Sequence, residues 1–285
     1  MNTDMKRGAI IVTGANGYIG QNVVKTLLDL GVRVIAVDIN FNGLDARAEQ
    51  LKTNLFENNA EILSLVPEVD ACLHLAWRNG FSHNAETHLA DLPGHFRFIE
   101  SLIEAGLEQI AVLGSMHEIG YWEGVIDENT PTNPTTYYGI AKNALRQSLG
   151  VLCSSRKVVY QWLRAFYITG DDSRNHSVFT KILEMERDNK EFFPVTSGKN
   201  LYDFITIEEL SRQISLAVLQ REIAGTINVC TGKAVSLHDA IEFFISKHNL
   251  KIKPNFGAYP ERPYDSPGIW GDNTKIMKIV SNSGL

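Results

Sequence analysis

Tyr138 and Lys142 stand four residues apart in Tyr138-Gly139-Ile140-Ala141-Lys142. That spacing puts a phenol and an ammonium on one face of a helix. A free tyrosine, with a pKa of about 10, is a poor proton exchanger at neutral pH. A neighbouring lysine cation favours the phenolate and lowers that value, which would turn the phenol into a usable acid–base group. Ser115 follows the apolar run Ile110–Leu113 and places a hydroxyl at a strand end, where it can donate to a substrate oxygen. Tyr137 is the competing phenol; it lies one residue too early for the four-residue spacing and is assigned to packing or substrate contact. The expected catalytic set is therefore Ser115, Tyr138 and Lys142, with Tyr138 exchanging a proton with an oxygen whose carbon gains or loses a hydride.

A hydride needs a carrier. Thr13-Gly14-Ala15-Asn16-Gly17-Tyr18-Ile19-Gly20 lies where a first strand meets a first helix. Gly14 suits the tight turn, Gly17 the close approach of a pyrophosphate, and Gly20 close packing of the helix. The helix start offers free N–H groups and a positive dipole end to phosphates. Asp38 ends the next apolar run, where a carboxylate accepts bonds from adenosine ribose hydroxyls and repels a 2′-phosphate. The nearest downstream arginine is Arg47, so NAD is favoured over NADP.

Alternating elements must position these groups. Ala9–Thr13, Val32–Val37, Ala71–Leu75, Ile110–Leu113 and Val158–Arg164 read as buried strands. Tyr18–Leu30, Glu86–Ala105 and Tyr138–Cys153 read as helices between them. This predicts an α/β fold, a doubly wound parallel sheet of the Rossmann type with a small, non-contiguous substrate-binding lobe. The expected division is 1–170 with 204–232 for the dinucleotide domain, and 171–203 with 233–285 for the lobe. In the latter, Val178–Asn189 and Ser236–His248 read as helices, Glu191–Asn200 as irregular, and Lys253–Gly268 as a Pro- and Gly-rich stretch. Thr226–Cys230 reads as a further strand.

Composition narrows the classes. The 285 residues are 44% apolar, enough for a substantial core. A net charge of −6 argues against a nucleic-acid partner. Cys72, Cys153 and Cys230 are scattered and odd in number, which predicts reduced core thiols, with neither a disulfide framework nor a metal site. No signal segment and no membrane-spanning run is evident, so a cytoplasmic location is expected.

The ordered set Gly14–Gly20, Asp38, His74-Leu75-Ala76, Ser115 through Gly120, Tyr138 through Lys142, Leu163-Arg164-Ala165-Phe166, Tyr202-Asp203-Phe204-Ile205, Asn228-Val229 with Thr231-Gly232, and Arg262-Pro263-Tyr264-Asp265 covers nearly the whole chain. It resembles an extended short-chain dehydrogenase/reductase of the NAD-dependent epimerase/dehydratase family. The resemblance implies NAD contacts from Gly14, Asn16, Gly17, Tyr18, Ile19, Gly20, Asp38, Asn54, Leu55, Leu75, Ala76, Tyr138, Lys142 and Phe166. It implies a nucleotide-sugar substrate near Trp77, Met116, His117 and Tyr167, with Arg262 on the diphosphate. It also implies a homodimer formed by helices Glu86–Ala105 and Tyr138–Cys153. The aromatic stretch Glu191–Val195 reads either as a surface for stacking a base or as core of the lobe.

The departures point further. Dehydratases of the family carry an Asp–Glu pair after the Ser or Thr; Met116 and His117 stand here, and Met116 cannot protonate a leaving hydroxyl. Tyr167 replaces a usual Asn and Tyr202 a usual Arg, Asn54 a usual Asp, Asp91 a usual Asn, and Trp77 a usual Ala that would border the nicotinamide pocket. The short chain resembles reductases of 4-keto-6-deoxy sugars. The leading expectation is reduction of the 4-keto group of a nucleotide-activated deoxyhexose. The alternatives are a nucleotide-sugar 4-epimerase, a dehydrogenase of an unphosphorylated sugar, and a non-catalytic dinucleotide-binding regulator.

Overall fold

The computed structural model describes residues 8–57, 59–170, 177–261 and 266–284. The chain opens with β1 (Ala9–Thr13), α1 (Tyr18–Asp29), β2 (Val34–Asp38), β3 (Glu49–Lys52), α2 (Ala60–Leu65) and β4 (Val69–His74). It continues through α3 (Thr87–Glu104), β5 (Gln109–Ser115), β6 (Gly124–Ile126), α4 (Tyr137–Arg156), β7 (Val159–Ala165) and β8 (Tyr167–Thr169). Then come α5 (Val178–Arg187), β9 (Phe192–Val195), β10 (Leu201–Tyr202), β11 (Phe204–Thr206), α6 (Ile207–Val218) and β12 (Gly225–Val229). The last elements are β13 (Val235–Ser236), α7 (Leu237–Lys247), β14 (Lys253–Phe256), β15 (Gly268–Gly271) and α8 (Thr274–Ser283).

Seven strands form one parallel sheet in the order β3-β2-β1-β4-β5-β7-β12. Its inner strands are continuous apolar runs because helices cover both faces. One core cluster joins Val23, Val24 and Leu27 of α1 with Leu210 and Ile214 of α6 and Ile276 and Ile279 of α8. The opposite cluster joins Ile62 of α2, Phe98, Ile99 and Leu102 of α3, and Leu145 and Leu149 of α4. The expected doubly wound sheet is thus the observed one.

A second sheet runs β13-β10-β15-β6, and β9 pairs with β14. A third core, built from Phe179, Ile182, Phe193, Ile241 and Phe244, lies between α5, α7 and these strands. Asp203 ties the two parts together: its buried carboxylate accepts from Thr231 N and Oγ1, Gly232 N and Gly271 N. Several details were not read from sequence. The stretch Glu191–Asn200, expected to be irregular, contains β9, and Lys253–Gly268 contains β14. The C-terminal α8 returns to pack on α6 and β12.

Candidate active site

The sheet changes direction of winding between β1 and β4, and in open α/β sheets ligands bind in the crevice beyond that switch point. Thr13 and His74 face each other across its carboxyl end, with Thr13 Oγ1 2.8 Å from His74 Nδ1. The glycine turn follows Thr13. Gly14 has φ +65°, and a Cβ there would lie 2.6 Å from the backbone of Ala76. A Cβ on Gly20 would lie 2.1 Å from Gly14 O, so the first turn of α1 sits directly on the loop. Gly17 begins α1 with no side chain capping its N–H groups, which leaves the helix start beside Asn16, Tyr18 and Ile19 open to an anion. Asp38 closes this cradle, its carboxylate accepting from Asn16 N at 2.9 Å and Ile39 N at 2.7 Å. These residues fit a dinucleotide: the glycines leave room for pyrophosphate, and Asp38 stands at the tip of β2. Leu75 and Ala76 border the turn, while Leu55 is buried in the core on the α3 side. Asn54 is exposed and bonded within its own turn, to Glu57 Oε1 and Phe56 N.

Ser115 ends β5, and Tyr138 and Lys142 lie on the first turns of α4. The start of α4 is held by an unusual set of acceptors. Gly139 N donates to Thr136 Oγ1, Tyr138 N to His83 O at 2.8 Å, and Tyr137 N to Asn84 Oδ1. Three otherwise orphaned N–H groups are thereby satisfied, two of them by the loop before α3. A Cβ on Gly139 would lie 2.4 Å from His117 O, so the short 3₁₀ turn Met116–Glu118 is pressed onto α4 beside Tyr138.

The electrostatics differ from the sequence expectation. Burial pushes the Tyr138 phenol up to about 12, against the opposing pull of a hydrogen bond with Ser115. Lys142 was expected to lower it, but burial instead pushes the lysine itself down to about 7. Lys142 Nζ donates to Leu113 O at 2.7 Å and sits 3.8 Å over the Trp77 ring, contacts that favour the ammonium but do not offset its burial. Both groups are driven toward their neutral forms in this dry site.

Trp77 organises the histidines. His95 stacks on it with ring centroids 4.4 Å apart, and His74 Nε2 is 2.9 Å from His95 Nδ1. Trp77 Nε1 donates to His88 Nδ1 at 3.0 Å, which leaves His88 Nε2 to donate to Ser82 O. Burial lowers His74 to about 3, His95 to about 2 and His117 to about 4, so all three are neutral at neutral pH. His83 stacks parallel on Tyr138 at 5.3 Å and lies 4.4 Å from His117. Sequence reasoning singled out Trp77 and His117 but missed His83, His88 and His95. A signal was present: five of the eight histidines fall between 74 and 117, and His88 and His95 are two helical turns apart.

The other expected substrate groups are divided. Tyr167 faces His117 at 6.2 Å and Tyr202 at 4.6 Å, forming an aromatic wall. Met116 and Phe166 are buried in an apolar cluster with Ile119, Ile126, Cys230 and Ile269. Arg262 lies outside the described residues. Asp91 is bonded by Arg78. Beneath the site, Glu118 accepts from Trp162 Nε1 and Arg164 Nε, which pins the turn carrying Ser115 and His117. Cys72, Cys153 and Cys230 are free and buried. Among the described residues no cluster of metal-ligating side chains is found, and no helix is long and apolar enough to cross a membrane.

A dinucleotide cradle at the switch point and a Ser–Tyr–Lys set beside it define a class of hydride-transfer proteins. The family described as NAD dependent epimerase/dehydratase matches residues 10–230, and the chain belongs to it. It is 47% identical over 269 residues to dTDP-6-deoxy-L-talose 4-dehydrogenase (NAD(+)) of Aggregatibacter actinomycetemcomitans, covering 92% of this chain and 98% of that protein. Its fold is shared with UDP-N-acetylglucosamine 4-epimerase from Methanobrevibacter ruminantium M1, solved with UDP-N-acetylmuramic acid, at a TM-score of 0.83 and 20% identity over 96% of this chain and 92% of that one. MoeE5, solved with UDP-glucuronic acid and NAD, gives a TM-score of 0.80 at 22% identity, over 96% and 93%.

Proposed function

We propose that this protein is an NAD-dependent oxidoreductase that interconverts the 4-keto and 4-hydroxyl groups of a dTDP-activated 6-deoxyhexose. The observation that carries this is the 47% identity, over nearly all of both chains, to a dTDP-6-deoxy-L-talose 4-dehydrogenase. Ser115, Tyr138 and Lys142 are all retained, which speaks against a non-catalytic regulator.

Gly14, Gly17 and the start of α1 would hold the pyrophosphate of NAD, and Asp38 the adenosine ribose. When bound, the dinucleotide supplies or accepts the hydride. The chain's own residues handle the oxygen. Ser115 donates a hydrogen bond to the C4 oxygen, and Tyr138 gives that oxygen its proton in reduction or takes it in oxidation. Trp77 and the Tyr167–Tyr202 pair wall the sugar site and exclude water. Met116 and His117, standing where a dehydratase carries its acid pair, provide no group to expel a hydroxyl as water by the family's route.

The chemistry specifies the ketone. 6-Deoxy-L-talose and L-rhamnose differ only at C4, so oxidation of either at C4 gives the same 4-keto sugar. The proposed enzyme delivers hydride to the face that yields the talo product. The protein, NAD+ and dTDP-6-deoxy-L-talose should give NADH stepwise with loss of the sugar. Formation of dTDP-L-rhamnose with no NADH would instead identify a 4-epimerase.

A homodimer through α3 and α4 is part of the proposal. Leu89 and Val151 are exposed on these helices, and Phe96 and Leu152 line the groove between them. A cytoplasmic location is proposed because the reaction draws on the cytoplasmic pools of NADH and nucleotide sugar.

A further inference from the structure

Lys142 is a buried amine on the first turns of α4, and burial disfavours its charge. Glu118 is the carboxylate that favours the ammonium, but it already accepts from Arg164 Nε and Trp162 Nε1. The amine itself meets Leu113 O at 2.7 Å and the Trp77 ring, whose centroid lies 3.8 Å from Nζ. A cation at that distance from an indole face is attracted by the ring quadrupole, more strongly where water is excluded.

Trp77 is anchored where it stands. It comes from the connection between β4 and α3, and its partners are on α3. Its Nε1 donates to His88 Nδ1, and His88 is fixed in turn by Ser82 O. His95 stacks on the indole with ring planes 10° apart. His95 is bonded to His74, and His74 to Thr13, the last residue of β1 before the glycine turn. The indole also meets the Tyr138 ring edge-on, at 6.2 Å between centroids. It therefore bridges α3 and the Tyr138–Lys142 turn of α4.

We infer that Trp77 is a positioning residue for Lys142, and that its indole face holds the ammonium beside Leu113 O in its charged form. This rests on the oxidoreductase reading above, with Lys142 as a dinucleotide contact. An ammonium has three N–H donors; Leu113 O takes one, and the ring attracts the charge without offering a lone pair. Donors remain for the hydroxyls of a nicotinamide ribose, and the cation next to Tyr138 favours its phenolate.

The groups facing Lys142 come from each element packed on it. Glu118 of the 3₁₀ turn favours its charge, while His74 at the end of β4 and His95 on α3 meet it as a like charge. Tyr138 lies one turn earlier on α4. Arg146, one turn later, is bonded to Asn143 and faces Glu118, as Arg164 of β7 does. Lys142 is held to about 7, against about 3 for His74, about 2 for His95 and about 12 for Tyr138, so the lysine titrates apart from them.

The test titrates the lysine itself, in the full chain without dinucleotide. Lysines are labelled with carbon-13 at Cε, the Lys142 line is assigned by its loss in Lys142→Met, and its shift is followed by NMR from about pH 5 to 10. Position 77 carries tryptophan, or a mono-, di- or trifluorinated tryptophan that keeps the indole's shape while weakening the negative charge of its face. Trp77→Leu removes the face altogether. The Lys142 midpoint should fall with each fluorine, and by about one pH unit in Trp77→Leu. A midpoint that fluorination leaves unmoved or raises would overturn the inference, whether or not Trp77→Leu folds. Calorimetry with NADH at about pH 6 and 8 tests the consequence. The trifluorinated protein should bind more weakly than wild type at the higher pH, and the gap should narrow at the lower, where both lysines are charged. A midpoint that falls while NADH affinity stays equal at both values would confirm the indole–ammonium contact and overturn Lys142 as a dinucleotide contact. Absence of NADH binding by the wild type would overturn the oxidoreductase reading, while the titration still decides the contact.

Discussion

Asp38, Tyr138 and Lys142 each carry a separable part of the account. Asp38 should make NAD(H) bind at least about tenfold tighter than NADP(H), about 1.4 kcal/mol, because its carboxylate repels a 2′-phosphate. Calorimetric titrations with equal affinities would contradict that assignment. Tyr138→Phe removes only the O–H, so turnover should fall by about 10² to 10⁴ with NADH affinity unchanged. More than a tenth of wild-type kcat in that variant would assign proton transfer to another group. Lys142 yields a prediction about stability. Its folded value of about 7 lies below the ordinary 10.5, so between these values the unfolded chain holds a proton that the folded chain has released. Stability contributed by this residue therefore rises with pH across that window. Lys142→Met should be more stable than the wild type near pH 7, and the gap should narrow by about 2 kcal/mol toward pH 9, at about 1.4 kcal/mol per unit. Denaturant titrations at the two pH values measure this; a constant gap would mean that Lys142 keeps its proton in the folded state.

At the scale of elements, the sequence was legible wherever burial imposed a period. β1, β2, β4, β5 and β7 are near-continuous apolar runs because both faces are covered, and their expected and observed positions agree within a few residues. β3 was not legible. Its Glu-Gln-Leu-Lys is mostly exposed at the sheet edge and is held by main-chain bonds to β2, which leave no apolar signature. α6 passed unremarked, although Thr206 and Glu209 have the spacing of a capping box and Thr206 Oγ1 does cap the helix. At the candidate site, the nearness of Ser115 to Tyr138 was readable from a strand end and a helix start, and that of Lys142 from the four-residue spacing, but the direction of the lysine was not. That depends on Trp77 and Leu113 O, which only the packing of β4 against β5 and α4 brings together. The turn into α1 gives the sharpest test at this scale. Gly20→Ala places a methyl carbon 2.1 Å from Gly14 O, and that backbone oxygen must move. The variant should lose about 1 to 3 kcal/mol of stability and bind NADH more weakly, as the cradle widens. A melting temperature and NADH affinity equal to wild type would show that the helix start has slack.

At the scale of the molecule, two features meet: a crevice at the β1/β4 switch point, which α4 borders with Tyr138 and Lys142, and an exposed apolar strip shared by α3 and α4. If the strip is a dimer face, Val151→Glu should convert a dimer to a monomer in analytical ultracentrifugation, because an unpaired charge at its centre is costly to bury. A wild type that sediments as a monomer at micromolar concentration would remove the dimer from the account. The central claim is direct hydride transfer to C4, and isotope transfer tests it most directly. The protein is incubated with dTDP-4-keto-6-deoxy-L-sugar and NADH deuterated at the transferable position, and the product is read by NMR. The account predicts one deuterium at C4 of a 6-deoxy-L-talo product for each NADH consumed, and none with Tyr138→Phe over the same interval. A product without deuterium at C4, or sugar conversion with no net loss of NADH, would contradict it.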